Sequence, residues 1–279
     1  LINALKITDR KIEDTKITLL GAGASNTTIA RLIIAAGGKA ENMILFDSKG
    51  GLHKDRNDIK ENKAFYRKWE LCETTNPNKI NDFGEAMEGA DVLIALSKPG
   101  PDTVKPEWIS SMAEKSIVFT CANPVPEIYP YAAKEAGAYI VATGRGDFAN
   151  QVNNSLGFPG ILKGALLVRA RKITDNMAVA SAESLAKYAE KRGMDKENII
   201  PKMDENAVFP EEAADVAMQA IKDGVARVEI SREEAFNAAK RDIDYSRNLT
   251  HHLMDENYIK SVPQELLDDA LKKAVDEVK

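Results

Sequence analysis

The sequence contains little cysteine, few aromatic residues and no long apolar run. Its 279 residues include two cysteines, Cys72 and Cys121, which lie far apart and lack the spacing of metal ligands. We therefore expect reduced thiols in a cytoplasmic protein rather than a disulfide. Aromatic residues make up 6 % of the chain and no long basic run occurs, which argues against nucleic-acid binding. No apolar run approaches the roughly 20 residues that a membrane helix requires, so we expect no membrane span.

An initiator methionine and a signal peptide are also missing from the start of the sequence. The chain opens with Leu1, and its first residues, LINALKIT, have the pattern of a helix that is already under way. We therefore expect that further residues precede this chain in the natural protein. The net charge of −5 is spread over interspersed lysines and glutamates, which is typical of an ordinary globular surface.

Residues 16–47 have the pattern of a strand, a glycine turn, a helix and a second strand. The turn Gly21-Ala22-Gly23 lets the backbone approach a pyrophosphate, and the free N–H groups of the following helix attract its charge. The second strand ends in Asp47, whose carboxylate can accept hydrogen bonds from an adenine-ribose diol. This stretch therefore predicts a dinucleotide site.

The third glycine of the usual fingerprint is missing, because Asn26 occupies its position. We expect either that the helix packs further from the strand or that Asn26 turns outward. The side chains of Ser25, Asn26, Thr27 and Thr28 supply oxygens suited to capping the helix or to contacting phosphate. The alternative is a tight, well-capped turn that binds no ligand.

A polar, glycine-containing loop follows Asp47 and carries several cations. Lys49, Lys54 and Arg56 would meet an adenosine 2′-phosphate if the cofactor were NADP, although such charges more often form a solvated face. Asp47 repels a 2′-phosphate, so the sequence favours NAD, with NADP as the alternative.

Three further apolar runs, at 90–96, 116–121 and 138–144, alternate with predicted helices. Together with the first two strands they predict an open, doubly wound, Rossmann-like α/β sheet that is mostly parallel. We expect a dinucleotide-binding domain over residues 1–172, with a helical C-terminal region over residues 173–279 packing on it.

Ligands of such sheets bind outside the carboxyl ends of the strands. This rule singles out four places: residues 21–26, Asp47, Ser97-Lys98-Pro99 and residues 121–124. Asn123 precedes a proline and is biased toward an extended conformation, which can point its amide into the crevice. An Asx-type turn is the alternative interpretation of Asn123.

Primary amides are concentrated between a glycine turn at residue 146 and a helix predicted from Pro159 to Lys172. Gln151, Asn153 and Asn154 can bind a carboxylate or the nicotinamide carboxamide without adding charge. Loop capping is the alternative role for these amides.

The remainder of the chain has the pattern of amphipathic helices. His251, His252 and Glu256 would suit a metal, but adjacent histidines point to different faces of a helix and no histidine four residues away completes a pair. A helix cap or an oligomer contact is the favoured interpretation.

With these motifs in view, the chain resembles the cofactor-binding domain of malic enzymes of the short bacterial and archaeal type. The resemblance runs from about residue 1 to residue 228. It is carried by INALK, GAGA, FDSKG, ANPVPE and ATGRGDFANQVNNSLGFPGILKGAL. The last two motifs are specific to the family, whereas the glycine turn alone is not.

This resemblance implies oxidative decarboxylation of L-malate to pyruvate and carbon dioxide, with hydride passing to NAD or NADP and with Mg or Mn assisting. The family uses a lysine and a tyrosine as its acid–base pair and carboxylates as metal ligands. All of these lie upstream of the helix at which this chain begins. The resemblance therefore implies no catalytic residue and no metal ligand within the chain.

Residue by residue, the resemblance assigns the phosphate turn to Gly21, Gly23 and Ala24, and the ribose contact to Asp47. It also assigns a position near the nicotinamide and substrate to Asn123. The predicted cofactor-binding residues are Gly21, Ala22, Gly23, Ala24, Ser25, Asn26, Asp47, Ser48, Lys49, Ser97 and Asn123. The predicted malate-binding residues are Asn123, Asn153 and Asn154.

Two features depart from the family. Residues 25–27 replace the small residues usual in the turn, and the tail from residue 231 is longer than expected of the short type. A malolactic-type enzyme that releases lactate, a separate nucleotide-binding or regulatory subunit, and a relative that has lost cofactor binding are the alternatives. The helical tail and the family favour a homodimer or a larger homo-oligomer.

Overall fold

A six-stranded sheet organises residues 1–278, which are the residues that the structure, a computed structural model, describes. Lys279, the last residue of the predicted C-terminal region, lies outside the described residues. The strands are β1 (Ile17–Leu20), β2 (Met43–Asp47), β3 (Gly50–Gly51), β4 (Val92–Ala95), β5 (Ile117–Thr120) and β6 (Ile140–Thr143). They lie in the order β3-β2-β1-β4-β5-β6, and every pair is parallel except β2–β3. The predicted doubly wound, mostly parallel α/β sheet is confirmed.

The antiparallel edge strand β3 was not predicted. The sequence predicts a polar loop there, because two glycines carry no side-chain pattern from which a strand can be recognised. Gly51 N–H donates to Asn81 Oδ1 at 2.8 Å, and Gly50 has a φ of +121° that favours glycine. The prediction of a loop was therefore wrong at these two residues.

Helices cover both faces of the sheet. They are α1 (Ile2–Ile7), α2 (Ala24–Ala35), α3 (Asn57–Lys60), α4 (Tyr66–Thr74), α5 (Phe83–Met87), α6 (Pro106–Ser110), α7 (Pro130–Glu135), α8 (Phe158–Leu167), α9 (Asp175–Arg192), α10 (Val208–Lys222), α11 (Arg232–Asp255) and α12 (Gln264–Val278). Alternate strand residues enter two separate cores, since successive side chains point to opposite faces. Ile94 and Phe119 pack toward α1, α2 and α4, whereas Leu93 and Val118 pack toward α5, α6 and α7.

Helices α8 to α11 build a third core around α10. Helix α8 ends at Leu167, so the prediction of a helix to Lys172 was wrong over its last residues. Arg169 adopts a left-handed φ of +49° there, and Arg171 N–H donates to Val225 O at 2.9 Å. Helix α9 packs back on α1 and α2, where Asn3 Nδ2 donates to Ala186 O at 3.0 Å. The division of the chain at residue 172 stays a prediction.

The chain ends in a helical arm, which we define as residues 244–278. From 244 to 277 every residue except Leu253 is exposed. His251 and His252 lie exposed within α11, and residues 1–278 contain no group of three or more His, Cys, Asp or Glu arranged to hold a metal. Within the same residues, no helix is long and apolar enough to cross a membrane.

The third core contains a buried carboxyl group, that of Glu212 on α10. The residue is fully buried, and its Oε1 accepts a hydrogen bond of 2.6 Å from Ser181 Oγ on α9. Oε2 lacks a hydrogen-bond partner, and a Cβ on Gly160 of α8 would lie 2.1 Å from it. Burial raises the pKa of Glu212 to about 8, although the Ser181 hydrogen bond acts in the opposite direction. The carboxyl group is therefore mainly protonated at neutral pH.

We predict that Glu212→Gln stabilises the protein above neutral pH. The folded-state pKa of about 8 exceeds the ordinary value of 4.5, so the stability of the native protein is present in full below pH 4.5 and falls as pH rises to 8. The glutamine variant has no carboxyl group that titrates in this pH range. Its advantage in the free energy of unfolding should grow over this interval to on the order of 4 kcal/mol. Urea unfolding at several pH values measures it.

The neighbouring residue Glu211, which is partly exposed, provides the control for this experiment. Glu211→Gln removes a carboxylate that pairs with Arg232 at 2.6 Å on the surface, where an ion pair contributes about 1 kcal/mol or less. Its effect should not grow between pH 4.5 and 8. An advantage of Glu212→Gln that is constant with pH would contradict the protonation of Glu212.

Candidate functional site

The turn after β1 combines one crowded glycine with one open glycine. Gly21 has a φ of +95°, and a Cβ on it would lie 2.4 Å from Leu96 O at the end of β4. A Cβ on Gly23 would meet no atom within 4 Å. Gly21 therefore allows the backbones at the ends of β1 and β4 to approach, whereas Gly23 leaves open space in which a ligand can reach the turn.

Helix α2 begins at this turn with its N–H groups uncapped. Gly23 is the N-cap residue, and no side chain accepts a hydrogen bond from the first turn. Of the two roles expected for the polar side chains of residues 25–28, capping the helix is therefore not observed, and Thr27 Oγ1 instead donates to Gly23 O at 2.9 Å. Ala24 and Ser25 are exposed at the helix start. Free N–H groups and the positive end of the helix dipole attract phosphate at this position.

Asn26 turns inward, so of the two expected alternatives the outward side chain was wrong. It is fully buried, and Nδ2 donates to Leu20 O at 2.9 Å and to Ile94 O at 3.4 Å. The amide thus links the start of α2 to the ends of β1 and β4, whereas a glycine would permit only close packing. This orientation removes the Asn26 side chain from direct contact with a cofactor.

A crevice of about 790 Å³ opens beside the turn, at the carboxyl ends of the strands. Its walls come from the start of α2, from the ends of β4 and β5, and from the segment after β6. The residues that line it are Leu1, Ala24, Ser25, Thr28, Ile29, Ile94, Leu96, Phe119, Cys121, Asn123, Gly144, Val152, Asn153 and Asn154. Five predicted site residues therefore meet in one crevice: Ala24, Ser25, Asn123, Asn153 and Asn154.

A buried carboxylate that the sequence analysis did not assign fixes two walls of this crevice. Glu127 is fully buried, and its Oε1 accepts hydrogen bonds from Ser97 N at 2.8 Å and Ser97 Oγ at 3.3 Å. Its Oε2 accepts from Ala122 N at 3.1 Å. Glu127 therefore joins the loops after β4 and β5, and Ser97 is directed toward this carboxylate. The only signal in the sequence was the position of Glu127 at the end of the ANPVPE motif.

The amide-bearing segment is held from behind by Asn150. This residue is buried with a φ of +54°, and its Nδ2 donates to Val141 O at 3.0 Å and Lys196 O at 2.8 Å. Its Oδ1 accepts from Ile199 N at 2.9 Å. Asn153 then accepts a hydrogen bond from Ser155 N at 2.9 Å through Oδ1, whereas Asn154 is exposed. Asn153 thus serves as a loop cap and still lines the crevice.

Asp47 ends β2 in a dense cluster of charges. Its Oδ1 accepts from Lys49 N at 2.9 Å and from Arg56 at 3.1 Å, while its Oδ2 accepts from Arg56 at 3.0 Å and from Lys68 Nζ at 2.8 Å. Burial would raise the pKa of Asp47, but the hydrogen bonds from Arg56 and Lys68 outweigh it and hold the pKa below its usual range. Four donors within the protein therefore already bind this carboxylate, so its oxygens are not free to accept hydrogen bonds from a ribose.

Lys49 and Ser48 lie at the exposed edge of this cluster. Lys49 Nζ pairs with Asp58 at 3.1 Å, and Asp58 also binds the guanidinium of Arg56 at 2.8 Å. Arg56 is thus enclosed between two carboxylates and is nearly buried, whereas the Lys49 side chain is two-thirds exposed. Of the three cations proposed for a 2′-phosphate, Lys49 and Lys54 are exposed, whereas Arg56 is buried.

Both cysteines are free thiols. Cys121 lines the crevice, where burial and the nearby charge of Glu127 raise its pKa to about 12. Burial raises the pKa of Cys72 to about 11. Neither thiol has the lowered pKa that a nucleophilic cysteine requires.

The residues present fit a dinucleotide. Gly23 leaves the open space, α2 supplies uncapped N–H groups, and the crevice runs from there to the amides of Asn123 and Asn154. They do not fit a divalent metal, because the described residues offer no cluster of carboxylates at the crevice.

Comparison with known proteins agrees with this geometry. The family model described as "Malic enzyme, NAD binding domain" matches residues 1–224. The bifunctional malic/malolactic enzyme of Bacillus subtilis is 37% identical over 245 residues, covering 86% of this chain and 57% of that protein. The NADP-dependent malic enzyme of Halomonas elongata is 38% identical over 242 residues, covering 81% and 55%. The chain therefore spans little more than half the length of these relatives.

A solved structure shows the same fold along the whole chain. The crystal structure of Entamoeba histolytica malic enzyme superposes with a TM-score of 0.97 at 60% sequence identity, covering 100% of this chain and 57% of that one. The match with the family model extends over four fifths of the sequence and includes both the glycine turn and the amide-bearing segment. The chain belongs to the malic enzyme family, of which it contains the NAD-binding domain.

Proposed function

We propose that this chain supplies the dinucleotide-binding domain of an NAD(P)-dependent malic enzyme, which converts L-malate to pyruvate and carbon dioxide. The observation that carries the proposal is the crevice in which the start of α2, directly after the open Gly23, and the amides of Asn123, Asn153 and Asn154 meet. A nucleotide and a small hydroxy acid are the two ligands that such a site combines. We further propose a cytoplasmic location and a homodimer or larger homo-oligomer.

In this assignment the chain binds and orients, and other residues perform proton transfer. The start of α2 binds the pyrophosphate, and the bound nicotinamide supplies the hydride acceptor. Asn123 and Asn154 hold the substrate beside it through amide hydrogen bonds, which add no charge to a site for a dicarboxylate. Glu127 binds Ser97 and Ala122 and so fixes the distance between the loops after β4 and β5, which form two walls of the crevice. The lysine, the tyrosine and the ligands of Mg or Mn implied by the family are assigned to the part of the family's length that this chain does not span.

The function is tested by mixing full-length protein with L-malate, Mn and either NAD or NADP. Reduced nicotinamide should appear in step with pyruvate, because one hydride is transferred for each malate that is decarboxylated. Absorbance of the reduced cofactor and pyruvate at the end point measure both. Folded protein that yields neither product would contradict the proposal.

A second candidate is favoured by one observation, the bifunctional malic/malolactic name of the Bacillus subtilis relative. A malolactic enzyme would consume malate and release lactate without net formation of reduced cofactor. Lactate measured in the same reaction therefore separates the two activities.

For the substrate site, we predict that Asn154→Ala lowers kcat/KM for malate by about 100-fold, because a misplaced substrate loses alignment with the hydride acceptor. The dissociation constant of the cofactor should change little, since Asn154 belongs to the segment after β6 and not to the α2 turn proposed to bind the pyrophosphate. Initial rates and cofactor titration give the two values. Asn237→Ala, on the exposed surface of α11, is the matched control. Equal losses of cofactor and malate affinity would contradict this role.

The sequence favours NAD because Asp47 would repel a 2′-phosphate, and this repulsion requires that the carboxylate of Asp47 is not paired with cations. Because Arg56 and Lys68 both bind this carboxylate, we infer that its repulsion of a 2′-phosphate is largely neutralised. The proposal is therefore a site that binds NAD and also accepts NADP, with the exposed Lys49 as a cation available to the 2′-phosphate.

We predict that Arg56→Gln moves the selectivity toward NAD. The substitution leaves Asp47 with a less compensated charge, which should lower kcat/KM for NADP relative to NAD by about tenfold. Steady-state kinetics with each cofactor measure the ratio. Asp58→Asn is the matched comparison, since it removes the other carboxylate from Arg56 and should move the ratio toward NADP. A ratio that is the same in both variants would contradict the inference.

A further inference from the structure

Glu127 is a negative charge that the protein buries without a cationic partner. Its side chain is fully buried, and its two oxygens accept hydrogen bonds from the N–H and hydroxyl of Ser97 and from the N–H of Ala122. None of the ion pairs formed within residues 1–278 includes Glu127. Neutral donors stabilise a carboxylate but leave its charge uncompensated. A net negative charge therefore lies behind the loops that follow β4 and β5.

Residues from other parts of the protein do not reach this carboxylate. The chain encloses Glu127 completely by itself, and Val104 N–H donates to its main-chain oxygen at 3.0 Å. Two cations belong to the neighbouring loops, but neither forms an ion pair with Glu127: Arg145 pairs with Asp147 at 2.6 Å, and Lys98 is exposed. Solvent and salt screen the charge of an exposed lysine. The charge of Glu127 is therefore neutralised neither by its own neighbours nor by the part of the family's length that this chain does not span.

The residues that bind Glu127 are direct neighbours of residues that line the crevice. Leu96, Cys121 and Asn123 line it, and each is adjacent in sequence to a donor of Glu127. The charge is felt on this side of the wall, because burial is the first cause and Glu127 the second that raises the pKa of Cys121 to about 12. Leu96 and Phe119 make this part of the wall apolar, and a charge acts further through apolar surroundings than through water. Glu127 therefore produces a negative potential in the crevice.

A nicotinamide ring changes its charge when it is reduced. The oxidised ring carries one positive charge, and the hydride that reduces it brings one proton and two electrons, which leaves the ring neutral. The phosphates and the adenosine carry the same charge in both forms. A fixed negative charge beside the ring therefore attracts the oxidised cofactor and has no net charge to attract on the reduced ring.

We propose that Glu127 is a specificity-determining residue through which the crevice favours the oxidised nicotinamide over the reduced one. The inference rests on the proposed function only in that a nicotinamide cofactor occupies the crevice. In the direction of malate oxidation, the cofactor is then held more tightly before hydride transfer than after it. The buried carboxylate thereby favours release of the reduced cofactor, in addition to fixing the distance between the two loops.

Calorimetric titration of the full-length protein with NAD and with NADH tests the inference without any turnover. Glu127→Gln has nearly the shape of the native side chain but no charge. The ratio of the dissociation constant of NADH to that of NAD should fall by about tenfold in this variant, because only the oxidised form loses an attraction. A change confined to the shape of the crevice weakens both forms by the same factor. An unchanged ratio in folded Glu127→Gln would therefore overturn the proposal, even if both constants rise.

Ser97→Ala is the matched control, because it weakens the same junction and keeps the charge. It removes the hydroxyl that donates to Glu127 at 3.3 Å and retains the N–H that donates at 2.8 Å. Both dissociation constants should change by the same factor, which leaves their ratio at the value of the unsubstituted protein. A fall in the ratio as large as that in Glu127→Gln would assign the effect to shape and would overturn the proposal.

Asn123→Asp keeps the test decisive if Glu127→Gln does not fold. Asn123 is exposed on the same wall, so the substitution adds a second carboxylate without disturbing the core. The ratio should then rise, and a ratio that does not rise would overturn the proposal. Folded, unsubstituted protein that binds neither NAD and NADH nor NADP and NADPH would overturn the proposed function together with this inference. Binding of both forms with a ratio that does not respond to charge would overturn this inference alone.

Discussion

The approach of the Gly21 backbone to Leu96 is the contact on which the crevice depends. β1 and β4 are neighbours at the point where the strand order reverses, and their connections leave on opposite faces of the sheet. A Cβ at Gly21 would lie 2.4 Å from Leu96 O, so any other residue would separate the two strand ends. Asn26 reinforces the same junction by donating to Leu20 and Ile94. The position of α2, and with it the uncapped N–H groups, follows from this junction.

Three acidic residues show that the surroundings of a carboxyl group, rather than the residue type, determine its structural role. Asp47 is engaged by cations and stays ionised, Glu127 accepts backbone and hydroxyl donors and joins two loops, and Glu212 has a single partner and retains its proton. The first adjusts the charge seen by a nucleotide, the second fixes the shape of the crevice, and the third lies in the packing of α8 to α10. The sequence shows the same kind of side chain in all three places.

The sheet could be predicted because its signals are local. Buried apolar runs such as residues 92–95 and the turn at Gly21 depend on near neighbours in sequence. The roles of Asn26, Glu127 and Asp47 could not be predicted in the same way, because their partners lie far along the chain or in another loop. The resemblance to malic enzymes identified the motif that contains Glu127, but only the structure shows that its carboxylate binds Ser97 and Ala122. The two-glycine strand β3 was missed because glycine carries no pattern.

Asn150 gives the connection between α9 and α10 an unexpected importance. Its amide binds Val141 within β6 together with Lys196 and Ile199 from that connection, and the amides of the crevice begin three residues later. The connection between α9 and α10 is therefore hydrogen-bonded to the segment that forms one wall of the crevice. Natural variation in linker length should be restricted between residues 193 and 199. Engineers who seek a permissive place for a tag or an inserted domain should choose another loop.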